Sequence, residues 1–166
     1  VVRLSRRMAW RPNLVIIRSL LRFGLPTGFQ GVAMNVAGVL LLRYIGSLRE
    51  SAEAQAAYAV GYTELFSFIT WSSVGLMGAT ATVAGQNLGA GKPERSAEGA
   101  RVAARFGVAL AATIGVVFLA VPRQLYAVFG LIEPEVVEIG VGLLRYLSVS
   151  GVFVTVALAY TGALQG

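Results

Sequence analysis

The sequence predicts an all-α fold, a polytopic membrane helix bundle, and three observations carry that prediction. Of the 166 residues, 56% are hydrophobic and only 13% are charged, with a mean hydropathy of +0.71. An average soluble domain is about one quarter charged, and a chain this small cannot hide so much apolar side chain from water. Four long stretches carry no charge at all: residues 23–42, 65–91, 106–122 and 146–166. A helix needs about 20 residues to cross roughly 30 Å of hydrocarbon. Finally, no segment alternates apolar and polar residues with period two, and helices satisfy their own backbone in lipid.

The elements follow in order. Residues 1–23 form a basic leader with Arg3, Arg6, Arg7, Arg11, Arg18 and Arg22. Within it Leu14, Ile17 and Leu21 share one helical face and Arg18 and Arg22 another. It reads equally as an amphipathic helix along the inner leaflet or as the basic end of the first membrane helix. The remainder, 24–166, holds four transmembrane helices at about 24–46, 54–86, 102–121 and 139–163. Ser51 with Glu53 starts the second. Its 33 positions would reach about 50 Å, so it must tilt, bend or protrude, with Gly75, Gly78, Thr80 and Thr82 as the loosening points. The run Gly89-Ala90-Gly91-Lys92-Pro93-Glu94 stops one helix and opens another, Pro93 suiting a first turn and Glu94 the positive helix end. The third helix draws Arg105 toward the headgroups and ends at Pro122. Glu133-Pro134-Glu135 opens the segment leading to the fourth. Gly24 with Gly28, and Gly162 with Gly166, have the spacing of close helix contacts.

Charge sets the orientation. Besides the leader, Lys92, Arg95, Arg101 and Arg105 crowd the second connection. Arg43 with Arg49, and Arg123 with Arg145, leave the other two poorer. The N-terminus and the 87–105 loop are therefore expected in the cytoplasm, and Glu133, Glu135 and Glu138 outside. Trp10, Phe23, Tyr44, Tyr126, Phe129 and Tyr146 are expected at the interfaces.

Chemistry is narrowed by absences. The chain has no Cys and no His, and its acidic residues are all Glu. Thiol catalysis, disulfides, His or Cys metal sites and a Ser-His-Asp triad are excluded. An enzyme is not expected, nor any nucleic-acid partner or bound cofactor. Glu64 is the one acidic residue inside a predicted span, where a mid-membrane carboxylate costs about 2.5–3.5 kcal/mol. It is a candidate for the substrate or ion pathway, against the alternative of a water-facing charge near the outer boundary. Gln30 and Asn35 in the first helix are polar candidates for cavity contact or interhelical hydrogen bonding. Tyr58, Tyr62 and Phe66, four apart, share a face that packs, anchors or offers ring faces to cations, with Tyr62 and Phe66 taken as pathway candidates. Arg145 at the start of the fourth helix reaches outer headgroups, pairs with Glu138, or bridges to another helix.

The run Val83-Ala84-Gly85-Gln86-Asn87-Leu88-Gly89-Ala90-Gly91-Lys92-Pro93-Glu94-Arg95 resembles the signature between the second and third helices of each half of the multidrug and toxic compound extrusion transporters. The likeness extends back through residues 75–82. Leu21-Arg22-Phe23-Gly24-Leu25-Pro26 resembles the lead-in to that family's seventh helix, and Leu144-Arg145-Tyr146-Leu147 the start of its tenth. The resemblance implies helices seven to ten of a six-plus-six bundle, with the N-terminal lobe and last two helices supplied elsewhere. It implies an antiporter, driven by Na⁺ or H⁺, that exports cationic drugs or toxic metabolites by alternating access. It also implies a multi-pass protein of a prokaryotic plasma membrane, with lipid and a cationic small molecule as partners. Some family members place a coupling Glu in the seventh helix, where counting from Pro26 finds Met34. Gly24, Pro26, Gly85, Gln86, Asn87, Gly89 and Gly91 are the structural motif residues, Gly24 and Pro26 at the entry of the first helix and the others in a tight cytoplasmic turn or a gating hinge. A lipid-linked saccharide flippase of the same plan, and a structural membrane subunit, are the alternatives.

The orientation is open to direct test, because the chain lacks Cys. Single cysteines at Ser47 or Glu133 should react with an impermeant maleimide from outside, and one at Ala90 only after permeabilisation. Labelling of the first two solely from the cytoplasm reverses the topology.

Overall fold

The computed structural model describes residues 13–166, so Trp10, the arginines before residue 12 and the side chain of Phe23 lie outside the described residues. It divides into two units, Val1–Tyr44 and Ile45–Gly166. Four helical stretches are long and apolar enough to cross a membrane: Leu14–Ile45, Ser51–Gly89, Pro93–Ala120 and Pro134–Gln165. The chain is thus a polytopic helical bundle.

The first unit is built on α1, Leu14–Ile45. Asn13 caps it, its side-chain oxygen accepting from the Val15 amide at 3.0 Å, as an N-cap residue does. The helix runs unbroken through Pro26, so residues 14–22 lie on the same helix as residues 24–45.

The second unit contains α2, Ser51–Tyr58, a π-helical segment, Ala59–Leu65, and then α3, Ser67–Gly89. It continues with α4, Pro93–Ala120, α5, Pro122–Val128, and α6, Pro134–Gln165. Helices α3, α4 and α6 pack on one another, while α2 and α5 lie against α6. Their register follows from close approaches. Ile69 meets Gly151, and Met77 meets Gly162, so α3 and α6 run parallel. Gly107 faces both Leu76 and Thr155, and Gly115 faces Ser148, so α4 runs antiparallel to both. Glycines at these crossings let the backbones close up, which is how helices associate in lipid. Gly162 and Gly166 make the close approach their spacing predicts, against the Met77 and Ala81 carbonyls.

Two expectations need correction. The long second span does not loosen at Gly75, Gly78 or Thr80–Thr82, which sit in regular α3. It widens earlier, where the Phe66 amide reaches back five residues to the Gly61 carbonyl at 3.0 Å. Tyr126 is no interface aromatic: it is fully buried. Its ring lies against Gly61 and Gly140, where a β-carbon would collide with it. Its hydroxyl donates to the Ala57 carbonyl at 2.9 Å. By contrast Tyr146 and Tyr44 are exposed. The helix starts read at Pro93 and at Glu133-Pro134-Glu135 hold, since α4 and α6 begin at Pro93 and Pro134, ahead of the uncharged stretches. Ser96, Ala100, Val136 and Gly140 are buried there, so packing extends the helices past the hydrocarbon edge that hydropathy registers. The short α5 had no counterpart in the sequence reading, although Pro122 does end α4 and then opens α5 at a position where its missing amide costs nothing.

Burial raises the Tyr126 phenol from its usual value near 10 to about 12. An unfolded chain ionises this group first, so its contribution to stability is complete below pH 10 and is lost as pH rises from 10 to about 12. Tyr126→Phe should abolish that alkaline loss and cost about 1–3 kcal/mol at neutral pH, since the Ala57 carbonyl loses its donor. Gly140→Ala should cost about as much by displacing the ring. Thermal unfolding between pH 7 and 11.5 reads both effects.

Candidate functional site

The π-helical segment gathers most of the sequence-predicted pathway residues. Tyr58 stacks on Tyr62 with ring centres 5.1 Å apart, and Tyr62 on Phe66 at 5.6 Å. Phe66 is buried at one end of this ladder, Tyr58 is half-buried at the other, and Tyr62, exposed at 44%, lies between them with a ring stacked on each side. Glu64 lies on the same segment and is exposed. Its backbone carbonyl accepts from the Ser67 hydroxyl, while its carboxylate points away from the packed core. Widened helical turns with this i→i+5 pattern recur at functional sites.

Position along the bundle can be read from the helix register. Ile69 packs on Gly151, and the two helices are parallel, so Glu64 stands level with Tyr146. That residue opens the uncharged stretch 146–166. Along the bundle Glu64 is thus level with the start of that uncharged stretch and not with its middle.

Gln30 and Asn35 belong to α1, in the other unit, where both are exposed. Asn35 spends a side-chain N–H on the Gly31 carbonyl at 2.9 Å. Gly24 and Pro26 also lie on α1. The remaining motif residues form the α3–α4 turn. The Gln86, Asn87 and Leu88 carbonyls accept from the amides of Ala90, Lys92 and Gly91, so the last turn of α3 is closed by the chain itself. Gly91 has φ +70°, a conformation glycine takes without strain, whereas Gly89 ends the helix. The Asn87 side chain bonds back to the Val83 carbonyl at 2.8 Å, and Gly85 abuts the backbone of Gly166. Next to this turn a groove of about 650 Å³ runs between α3 and α4, from Phe106 at its apolar end to Asn87, Arg95 and Glu98 at the other.

Two residues escaped the sequence reading. Ser73 and Thr155 are both buried, and their hydroxyl oxygens lie 2.7 Å apart across the α3–α6 contact. Ser73 also reaches the Ile69 carbonyl at 2.7 Å, and Thr155 the Gly151 carbonyl at 2.8 Å. Two protons serve three short contacts, so one hydroxyl donates across the interface while the other bonds its own helix. A cleft of about 360 Å³, lined also by Ser72, Phe106 and Leu110, opens beside the pair. The only sequence signal was a small polar residue in each of two apolar runs. Among the described residues, no group of three His, Cys, Asp or Glu side chains is placed to hold a metal ion.

A family model described as MatE matches residues 26–166. No curated protein and no solved structure matches the chain.

The hydroxyl pair supports a quantitative expectation. Ser73→Ala, Thr155→Val and the double variant should show a coupling of about 0.6 kcal/mol, the usual value for polar pairs between membrane helices. Thr155→Val keeps a methyl group against Gly107, so the comparison isolates the hydrogen bond. Reversible unfolding in mixed micelles measures it, and additive single effects would mean that the hydroxyls are independent.

Proposed function

Because the chain belongs to the MatE family, a family of membrane transporters and not of enzymes, we propose that it serves an antiporter that exports cationic drugs or toxic metabolites by alternating access. Na⁺ or H⁺ is the coupling ion. The observation that carries this reading is the family match over residues 26–166, on a chain with four membrane-crossing helices. In the complete transporter these would be helices seven to ten, working against an N-terminal lobe about a central cavity. The motif turn between α3 and α4 lies on the cytoplasmic side in this proposal, and α5 outside, in the plasma membrane of a prokaryote.

The position of Glu64, level with the start of the uncharged stretch 146–166, supports a role at the mouth of the substrate path. A carboxylate there attracts cations from water, and Tyr62 stands two positions away on the same segment with 44% of its surface exposed. Gln30 and Asn35 are assigned to polar contacts with substrate farther along the path, and Phe66 to holding the Tyr62 ring. No coupling role falls to Glu64 at this depth.

In the complete transporter, Glu64→Gln should raise KM for cationic substrates about five-fold, the equivalent of about 1 kcal/mol of exposed charge pairing. It should leave kcat and neutral substrates nearly unchanged. Flux with Na⁺ and pH gradients imposed separately, at matched expression, checks this. A wild-type KM removes Glu64 from the path, and a changed dependence on either gradient moves it to ion coupling.

A further inference from the structure

We propose that the cleft between α5 and the first half of α6 holds the headgroup of an anionic phospholipid, its phosphodiester gripped by Arg123 and Arg145. The cleft measures about 750 Å³ and carries three charged side chains: Arg123 from α5, and Glu138 and Arg145 from α6. All three are exposed. Two guanidiniums against one carboxylate leave a net charge of +1, and guanidinium forks match phosphate oxygens two at a time. Glu138 and Arg145 stand seven positions apart on one face of α6, about two turns or 10 Å. Arg123 faces them from the neighbouring helix.

Position selects a lipid over a free anion. Arg145 directly precedes the uncharged stretch 146–166, and Arg123 directly follows the uncharged stretch 106–122. Helix α4 runs antiparallel to α6, with Gly115 against Ser148, so both arginines come to the same hydrocarbon boundary. This is the outer boundary in the orientation proposed above. The wall of the cleft is apolar, with Leu131, Val137 and Val141. Below it, Val149 and Phe153 continue the Arg145 face of α6 into the membrane and are exposed at 61% and 71%. A phosphodiester between the arginines thus has a track for its acyl chains, which inorganic phosphate would not use. A β-carbon at Gly142 would enter open space, so this position can be enlarged to fill the cleft without disturbing α6.

The test uses the full chain in phosphatidylcholine nanodiscs with a minor fraction of phosphatidylglycerol, and native mass spectrometry to count retained lipid. The wild type should retain phosphatidylglycerol in preference to phosphatidylcholine. The double variant Arg123→Gln/Arg145→Gln should lose about ten-fold in affinity, the scale of one charged hydrogen bond. Gly142→Leu should lose retention with both arginines intact. Glu138→Gln should strengthen it, a gain that misfolding cannot produce. Soluble glycerophosphate should not compete. Unchanged retention in the double arginine and Gly142→Leu variants would overturn the proposal. So would equal retention of phosphatidylcholine, or full competition by glycerophosphate or inorganic phosphate, which would make the cleft a simple anion site.

Discussion

The hydrogen bond from the Tyr126 hydroxyl to the Ala57 carbonyl joins elements that the chain leaves far apart. The phenol comes from α5, the carbonyl from α2, and the ring fills the space that Gly61 and Gly140 leave open on the π-helical segment and on α6. A fully buried aromatic ring contributes about 1.5–3 kcal/mol through its area alone. The position of α5 depends on it, and so does the shape of the cleft that Arg123 completes. The same ring holds α2 against α6, and thereby fixes the end of the long second span from which the Tyr58–Tyr62–Phe66 ladder rises.

A different physics operates deeper in the bundle. Lipid tails are as apolar as leucine, so helices there gain nothing by hiding large side chains from their surroundings. The residues follow that logic. Ala84, Ala159 and Thr155 are buried, while Trp71, Phe106 and Phe153 face outward. Contacts between α3, α4 and α6 combine glycines against backbone or side chains, such as Gly162 on Met77 and Gly151 on Ile69, with buried Phe118, Leu144 and Leu147 and with the Ser73–Thr155 pair as a polar tie. Tyr126 stands at the end of the bundle, beyond the hydrocarbon run of α4, where burial from water again has value. The two regimes divide at the level of Arg123, Arg145 and Glu64.

Legibility followed the same division. Four spans, the α3–α4 turn with Pro93 and Glu94 at its exit, and the common face of Tyr58, Tyr62 and Phe66 all come from local sequence rules. Hydropathy marks hydrocarbon and not helix, so the starts of α4 and α6 were legible from Pro93 and Pro134 and not from the uncharged runs. Tyr126 looked like an interface anchor because an aromatic in a charged connection usually is one; its burial depends on two glycines 65 and 14 positions away. The Ser73–Thr155 bond depends on the parallel register of α3 and α6, which no single stretch encodes. The position of Glu64 along the bundle needed the register of α3 against α6, which its own stretch does not encode.

The π-helical segment has a rotational effect that reaches far down α3. An α-helix turns about 100° per residue, and a widened turn absorbs one residue without advancing the phase. Counted as a plain helix from buried Ala57, positions 64, 68 and 71 would face the core, and 69 and 73 would face away. The opposite holds: Ile69 and Ser73 are buried, while Glu64, Phe68 and Trp71 are exposed. One surplus residue between Ala59 and Leu65 therefore keeps a carboxylate and two large aromatic rings out of the helix interface and turns a serine toward Thr155. A chain shortened by one residue there would close the widened turn into a plain α-helix and keep Ile69 and Ser73 toward α6, whereas the full chain without the widening would present α6 with the wrong side of α3 over its whole length.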